Sequence, residues 1–147
     1  ITMIHIKEFY NSLPELENKE LSKIHNEIFD TNVNLNDKFL SKNKIIILVA
    51  YKEKTIVGYK IGYEVDSSTF YSWLGGVEKN NRNYGIAQML MDKQINILKS
   101  KGYEKIQTKT FNKWKSMLIL NIKNDFQIKN CYPDKNDLAI ILEKDIK

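Results

Sequence analysis

Alternating apolar runs interleaved with helical periodicity predict an α/β chain whose elements run β-α-α-β-β-β-α-β-α-β-β, forming one mixed sheet flanked by helices. Three observations carry this expectation. Residues 44–51, 55–65 and 69–77 are β-prone runs separated by short polar turns, as in an antiparallel meander. Residues 86–100 then place apolar side chains at helical spacing. Residues 105–110 return as a strand, so the helix is a crossover and the strands it joins are parallel.

Taken in order, Met3 to Phe9 alternates Ile4 and Ile6 with polar residues, which suits a first strand. Ser12-Leu13-Pro14-Glu15 reads as a capping box with Ser12 as N-cap, and Leu21, Ile24 and Ile28 carry the helix to Phe29. The asparagine-rich piece from Asp30 to Asn36 is a loop before a short helix through Leu40. Lys52-Glu53-Lys54 and Asp66-Ser67-Ser68 turn the meander. In its third strand, Thr69 to Val77, the side chains of Tyr71, Trp73 and Gly75 share one face and those of Ser72, Leu74 and Gly76 the other. The paired glycines are expected to bulge the strand near its end.

The helix from Ile86 to Ser100 carries Ile86, Met89, Leu90 and Ile97 on one stripe and Ala87, Met91, Ile95 and Leu98 on a neighbouring one. So wide an arc predicts burial on more than one side, and Lys101-Gly102 stops the helix. After the strand Lys105 to Thr110, Lys113 to Lys123 forms a helix with Trp114, Met117, Leu118, Asn121 and Ile122 facing inward. Phe126 to Cys131, then Pro133 and the turn Asp134 to Asn136, lead into Leu138 to Leu142 as a final antiparallel pair. No linker, repeat or low-complexity tract divides residues 1–147, which read as a single domain.

Composition narrows the chemistry. With Cys131 as its single cysteine, the chain has no internal disulfide framework, and no Cys/His cluster stands at metal-ligand spacing, so metal-free chemistry is expected. The formal charge is +5, but the lysines spread along the chain and alternate with Asp and Glu, which argues against a nucleic-acid partner. The longest apolar run, Ile45 to Tyr51, is too short to cross a bilayer, and no signal peptide is visible; a cytoplasmic protein without a membrane partner is expected.

The chain is organised around Val77 to Ala87. A strand that stops, a polar turn and a helix that starts leave backbone N–H groups unpaired at the positive end of the helix dipole. That is an anion site suited to phosphate. Gly85 lets the backbone approach a ligand, Arg82 offers a planar charged fork, and Ala87 keeps the first turn slim; the alternative is an ordinary strand-to-helix connection in which Gly85 only eases the turn. The glycine spacing of a dinucleotide fingerprint is absent, and no Gly-Lys-Ser/Thr of a P-loop follows.

Arg82, two residues, Gly85, one residue and Ala87, after Val77 at a strand end, resemble the cofactor signature of the GNAT family of N-acetyltransferases, and the order of elements resembles that fold over nearly the whole length. The resemblance implies acetyl-CoA as co-substrate, without a metal. Arg82, Asn83, Tyr84, Gly85, Ile86 and Ala87 would hold its pyrophosphate, and the main chain of Leu74, Gly75, Gly76 and Val77 would lie beside the thioester and pantetheine where the sheet splays after Val77. Met117 and Phe126 stand at the family's separation, although its Gly-Phe pair is here Asp125-Phe126. The asparagine that contacts pantetheine falls at Trp114, with Asn112 two residues away as its replacement. The tyrosine that protonates the thiolate falls at Asn121, which cannot act as an acid and is kept as a cofactor contact alongside Met117.

For the base, the carboxylate of histone-modifying relatives falls at Thr69; Glu64, Asp66 or a water chain are the substitutes, with Tyr71 a further catalytic candidate. Tyr71 and Trp73 border the acceptor amine in the family register, an aromatic wall suited to a flat or cationic substrate or, alternatively, plain core filling. Cys131 reads as a small buried hydrophobe rather than a nucleophile, and His5 and His25 as structural residues remote from the loop. The implied reaction is direct attack of a primary amine on acetyl-CoA. The acceptor is a small amine if the site is closed, or a protein N-terminus or lysine if a groove is open. The missing tyrosine and carboxylate also fit a non-catalytic acyl-CoA sensor, and an RNA-binding domain is the remaining class. A homodimer through sheet edges is a further expectation from the family.

Overall fold

A computed structural model describes residues 3–147. The strands β1 (Ile4–Tyr10), β2 (Ile46–Lys52), β3 (Thr55–Glu64), β4 (Thr69–Val77), β5 (Lys105–Phe111), β6 (Gln127–Asp134) and β7 (Asp137–Asp145) build a seven-stranded sheet in the order β1-β2-β3-β4-β5-β7-β6. Only β4 and β5 pair in parallel, as their crossover through α3 (Ile86–Ser100) requires. The remaining helices are α1 (Glu15–Phe29), α2 (Leu35–Phe39) and α4 (Lys115–Lys123).

Two apolar layers cover the sheet. On one face Leu48, Ala50, Val57 and Phe70 pack against Ile86, Leu90, Met91 and Leu98 of α3. On the other, Ile47, Val49, Tyr59 and Ile61 pack against Leu21 and Ile24 of α1 and Leu35 and Phe39 of α2. Coverage on both faces explains why β2 is apolar throughout rather than alternating: all of it except Lys52 is buried.

Several local expectations are corrected. Ser12 does not cap α1; Pro14 takes the N-cap position with no side-chain hydrogen bond, and the first turn relies on Glu15 and Glu17 near the helix dipole. The short helix has a real cap instead, since Asn34 accepts a hydrogen bond from the Asp37 amide. Met89 on α3 is exposed, as is Ile122, so neither faces inward; Trp114 lies just before α4, which starts at Lys115, and packs one edge inward while part of it stays exposed. β6 runs through Pro133 to Asp134 and turns on Lys135 and Asn136 alone, both at positive φ.

The largest difference lies in β4. Ile61 pairs with Leu74 and Gly62 with Ser72, so Trp73 is an extra residue in the β3–β4 ladder. The bulge therefore sits at Trp73, while Gly75 and Gly76 pair in register with Lys60 and Tyr59. Because the extra residue shifts the alternation, Trp73 and Leu74 both pack on the α1–α2 layer instead of on opposite faces. The sheet also opens earlier than Val77. β4 and β5 pair only from Thr69 with Lys105 to Ser72 with Thr108; beyond that point β4 stays with β3 and β5 with β7.

Candidate functional site

The polar connection after β4 is built to leave donors free. Glu78 takes the N-cap of a 3₁₀ turn, Lys79–Asn81, accepting from the Asn80 amide at 2.9 Å and from Asn81 Nδ2 at 2.7 Å. Arg82 Nε donates to the Val77 carbonyl at 3.1 Å, tying the loop to the strand end while the guanidinium stays exposed. Gly85 stands at the N-cap of α3 with φ 79, a left-handed conformation that strains any residue carrying a Cβ. The first intrahelical bond runs from Met89 N to Gly85 O, and among the described residues the backbone N–H groups from Arg82 to Gln88 donate to no protein acceptor. Free donors with the positive end of a helix dipole behind them are the chemistry that suits an anion. Arg82, Asn83, Tyr84 and Gly85 are all exposed there, with Ile86 buried beneath and Ala87 half-buried.

Beside this loop the open sheet presents main chain. The hydrogen bond from Glu78 N to Val57 O fixes the alternation of the β3–β4 ladder, so Gly75 and Val77 turn their N–H and C=O groups away from β3, into the gap that β5 has left. The Val77 carbonyl is the one that Arg82 takes. Gly76 has a different role: a Cβ there would stand 2.6 Å from Ile28 Cδ1, so the glycine lets α1 lie close against the strand. Thr108 Oγ1 donates to the Ser72 carbonyl at 2.9 Å on the last paired rung.

On the α1–α2 side of the gap lies an aromatic wall. Tyr63 sits 5.5 Å from Tyr71 and 5.3 Å from Trp73 between ring centroids, and Phe39 meets Trp73 at 6.3 Å. Burial, with the neighbouring Tyr63 and Tyr132 hydroxyls, pushes the Tyr71 phenol up to about 12, so it keeps its proton at neutral pH. It can donate a hydrogen bond but cannot act as a base. Tyr63 and Trp73 also pack against the α1–α2 core layer, so the wall has a packing role.

Free backbone donors at the start of α3 thus stand beside a gap in a mixed sheet. The sequence model of the Acetyltransferase (GNAT) family matches residues 7–114. The chain belongs to that family. No curated protein matches it by sequence. Among solved structures it is similar to a ribosomal-protein alanine N-acetyltransferase from Escherichia coli, at TM-score 0.82 and 15% identity over 98% of this chain and 94% of that one. It is also similar to NAA60 of Arabidopsis thaliana in complex with a bisubstrate analogue (TM-score 0.80, 11% identity, 97% and 98% covered). The PaiA N-acetyltransferase of Thermoplasma acidophilum in complex with coenzyme A gives TM-score 0.79 at 16% identity, with 97% and 99% covered. At these identities the likeness is one of fold.

Set on the GNAT fold, the remaining sequence candidates separate. Asn121 is 2% exposed, and its amide donates to the Met117 carbonyl one turn back, at 3.0 Å. Asn112 is exposed in the turn after β5, its side-chain oxygen held by Lys115 Nζ at 2.8 Å. Trp114 packs edge-on against Phe29 and Phe111, both at 5.2 Å, which seats the start of α4 against the end of α1. From there α4 runs to Asn124, which is hydrogen-bonded to Gln88 of α3. The helix therefore passes from the α1 side to the α3 side of the gap.

Neither carboxylate candidate is free. Glu64 accepts from Tyr103 Oη at 2.9 Å and pairs with Lys44 at 3.5 Å. Asp66 accepts from Ser68 N, Ser68 Oγ and Thr69 N, bonds that hold its pKa below the usual carboxylate range. It lies at the start of β4, the end remote from the anion loop. Cys131 is exposed on β6 rather than buried. Among the described residues no group of three or more His, Cys, Asp and Glu could hold a metal ion, and no helix is long and apolar enough to cross a membrane.

Two features escaped the sequence. His25 is not remote from the site: its Nδ1 lies 2.6 Å from Tyr59 Oη, and that hydroxyl is 3.6 Å from where a Gly76 Cβ would stand. Burial, and then the charge of Lys38, hold the His25 imidazolium down to about 4, so the ring is neutral. Lys60, opposite Gly75, extends its side chain across that glycine, and burial lowers its ammonium to about 8. The only signal for Lys60 was one lysine inside the apolar strand from Ile56 to Ile61. His25 and Tyr59 gave none.

Proposed function

We propose that this GNAT-family chain binds acetyl-CoA and transfers its acetyl group to a primary amine by direct attack, without a covalent enzyme intermediate. The observation that supports it most is the run of unpaired N–H groups from Arg82 to Gln88 at the start of α3, opening beside the gap that begins after Ser72. In this reading the pyrophosphate sits on the loop from Arg82 to Ala87. The pantetheine arm lies along the edge of β4 against Gly75 and Val77, with Met117 and Asn112 of the β5–α4 segment on its other side. The acetyl carbonyl reaches the Trp73 bulge, where Leu74 follows.

The amine approaches from the side of Tyr71 and Trp73. The C–N bond forms as the C–S bond breaks, and the amine proton passes to water, because Glu64 and Asp66 are both committed elsewhere. Tyr71, which keeps its proton, serves in this reading as the hydrogen-bond donor to the leaving thiolate. A reading with binding alone draws on Asn121, buried and turned back on its own helix at the place where the family carries its proton donor.

Thiol release from acetyl-CoA with a panel of small amines and peptide amines tests the choice. Acceptor-dependent release of thiol together with acetylated product supports transfer. Saturable acetyl-CoA binding with no turnover on any amine leaves the sensor reading.

A further inference from the structure

The aromatic wall is already occupied by cations of this chain. Lys42 Nζ stands 4.8 Å from the Tyr63 ring centroid and 5.4 Å from that of Trp73, and Lys38 Nζ stands 5.6 Å from Trp73. Both lysines are half-buried, one on α2 and one just after it, so they are held over the rings rather than spread into solvent. The ring faces of Tyr63 and Trp73 that these lysines cover are closed to a cationic substrate.

Neither charge is compensated. The ion pairs among the described residues are Lys44 with Glu64, Lys105 with Glu143, Lys109 with Asp134, Lys144 with Asp125 and Lys147 with Glu104. The carboxylates on neighbouring elements are spent elsewhere or exposed. Glu64 of β3 is bound to Tyr103 and Lys44, Glu17 of α1 accepts from Tyr51 Oη, and Asp134 at the end of β6 holds Lys109 over the Tyr132 ring. Asp37 precedes Lys38 but is exposed and makes no ion pair with it. The field of Lys38 already reaches inward, since it helps keep His25 neutral.

Resting on the acetyl-transfer reading above, we infer that Lys38 and Lys42 select the acceptor: the site takes a primary amine flanked by carboxylates, such as a peptide N-terminus followed by acidic side chains, and rejects polycationic amines. The carboxylates meet the two ammonium groups at the wall. The same two charges favour the neutral form of the arriving amine, which is its nucleophilic form, and this bears on a site without a free carboxylate base.

The test compares kcat/KM for three peptides of equal length that begin Ser-Glu-Glu, Ser-Gln-Gln and Ser-Lys-Lys, with free aspartate as a small acceptor of the same chemistry. Wild type is expected to favour the acidic peptide over the basic one by at least about tenfold, mostly through KM, and the preference should shrink as salt is added. Lys38→Met with Lys42→Met should flatten the series, and Lys42→Glu should lower the acidic peptide further, with acetyl-CoA titration reporting that each variant is folded. Aspartate taken as well as the acidic peptide would assign the preference to the carboxylate alone, and a peptide-only preference to a longer groove; both support the inference. Equal use of the three peptides, preference for the basic one, or an acidic preference that survives the double substitution overturns it while the transfer reading stands. Bound acetyl-CoA with no turnover on any of these amines overturns the transfer reading, and this inference with it.

Discussion

Thr108 Oγ1 donates a 2.9 Å hydrogen bond to the carbonyl of Ser72, on the rung where the parallel pairing of β4 and β5 ends. Both residues are buried, and the bond closes the apex of the opening in which we place the thioester. Thr108→Val keeps the shape and leaves the Ser72 carbonyl without this donor. It is expected to cost about 1–2 kcal/mol in urea unfolding and to weaken acetyl-CoA binding, while Thr108→Ser stays close to wild type. Equal affinity in the valine variant would show that the apex does not position the cofactor.

Two glycines should respond to alanine for different reasons. At Gly62 a Cβ would lie 2.3 Å from Phe70 Cε2 and 2.5 Å from the Tyr71 carbonyl, so the strands must move apart. Gly62→Ala is expected to destabilise by about 3 kcal/mol and to disturb the neighbouring aromatic wall. At Gly85 a Cβ meets nothing within 4 Å, but φ is 79. Gly85→Ala should cost only about 1 kcal/mol of stability, with its main effect on cofactor affinity. Comparing thermal midpoints with acetyl-CoA affinity for the two variants checks the contrast.

His25 makes stability depend on pH. Its folded pKa is lowered from 6.5 to about 4, so the unfolded chain takes up a proton on this group that the folded chain refuses. The unfolded state therefore gains as pH falls through 6.5, and the loss of stability is complete near 4. The contribution is at most about 3 kcal/mol. Unfolding free energies between neutral pH and 4 should fall more steeply in wild type than in His25→Gln, with the carboxylate contribution common to both. Parallel curves would mean that His25 is not held neutral.

The order of elements was legible because several carry their own period, from the Ile4 and Ile6 alternation to the helical spacing from Ile86 to Leu98, while β2 showed as a short apolar run bounded by turns. The strand-to-helix turn was legible because a Gly at such a boundary marks a backbone position that needs positive φ, and Gly85 stands at φ 79. The bulge at Trp73 was not, because an extra residue is defined only against the partner strand, and nothing in Ser-Trp-Leu names Ile61 and Gly62 as that partner. The expectation that an aromatic wall suits a cation failed to foresee that Lys38 and Lys42, from a different part of the chain, stand over it. The capping box at Ser12 failed for a local reason: Pro14 adopts φ −55 and ψ 158, extended backbone that delays the helix to Glu15.

The central claim is that the loop from Arg82 to Ala87 holds the diphosphate of acetyl-CoA. Calorimetric titration of acetyl-CoA into wild type and into the variant carrying Arg82→Ala and Gly85→Val tests it most directly. The account predicts saturable one-to-one binding to wild type and a loss of at least about tenfold in affinity in the variant, with its circular dichroism unchanged. No binding to wild type at millimolar acetyl-CoA, or equal affinity in a folded variant, would contradict it.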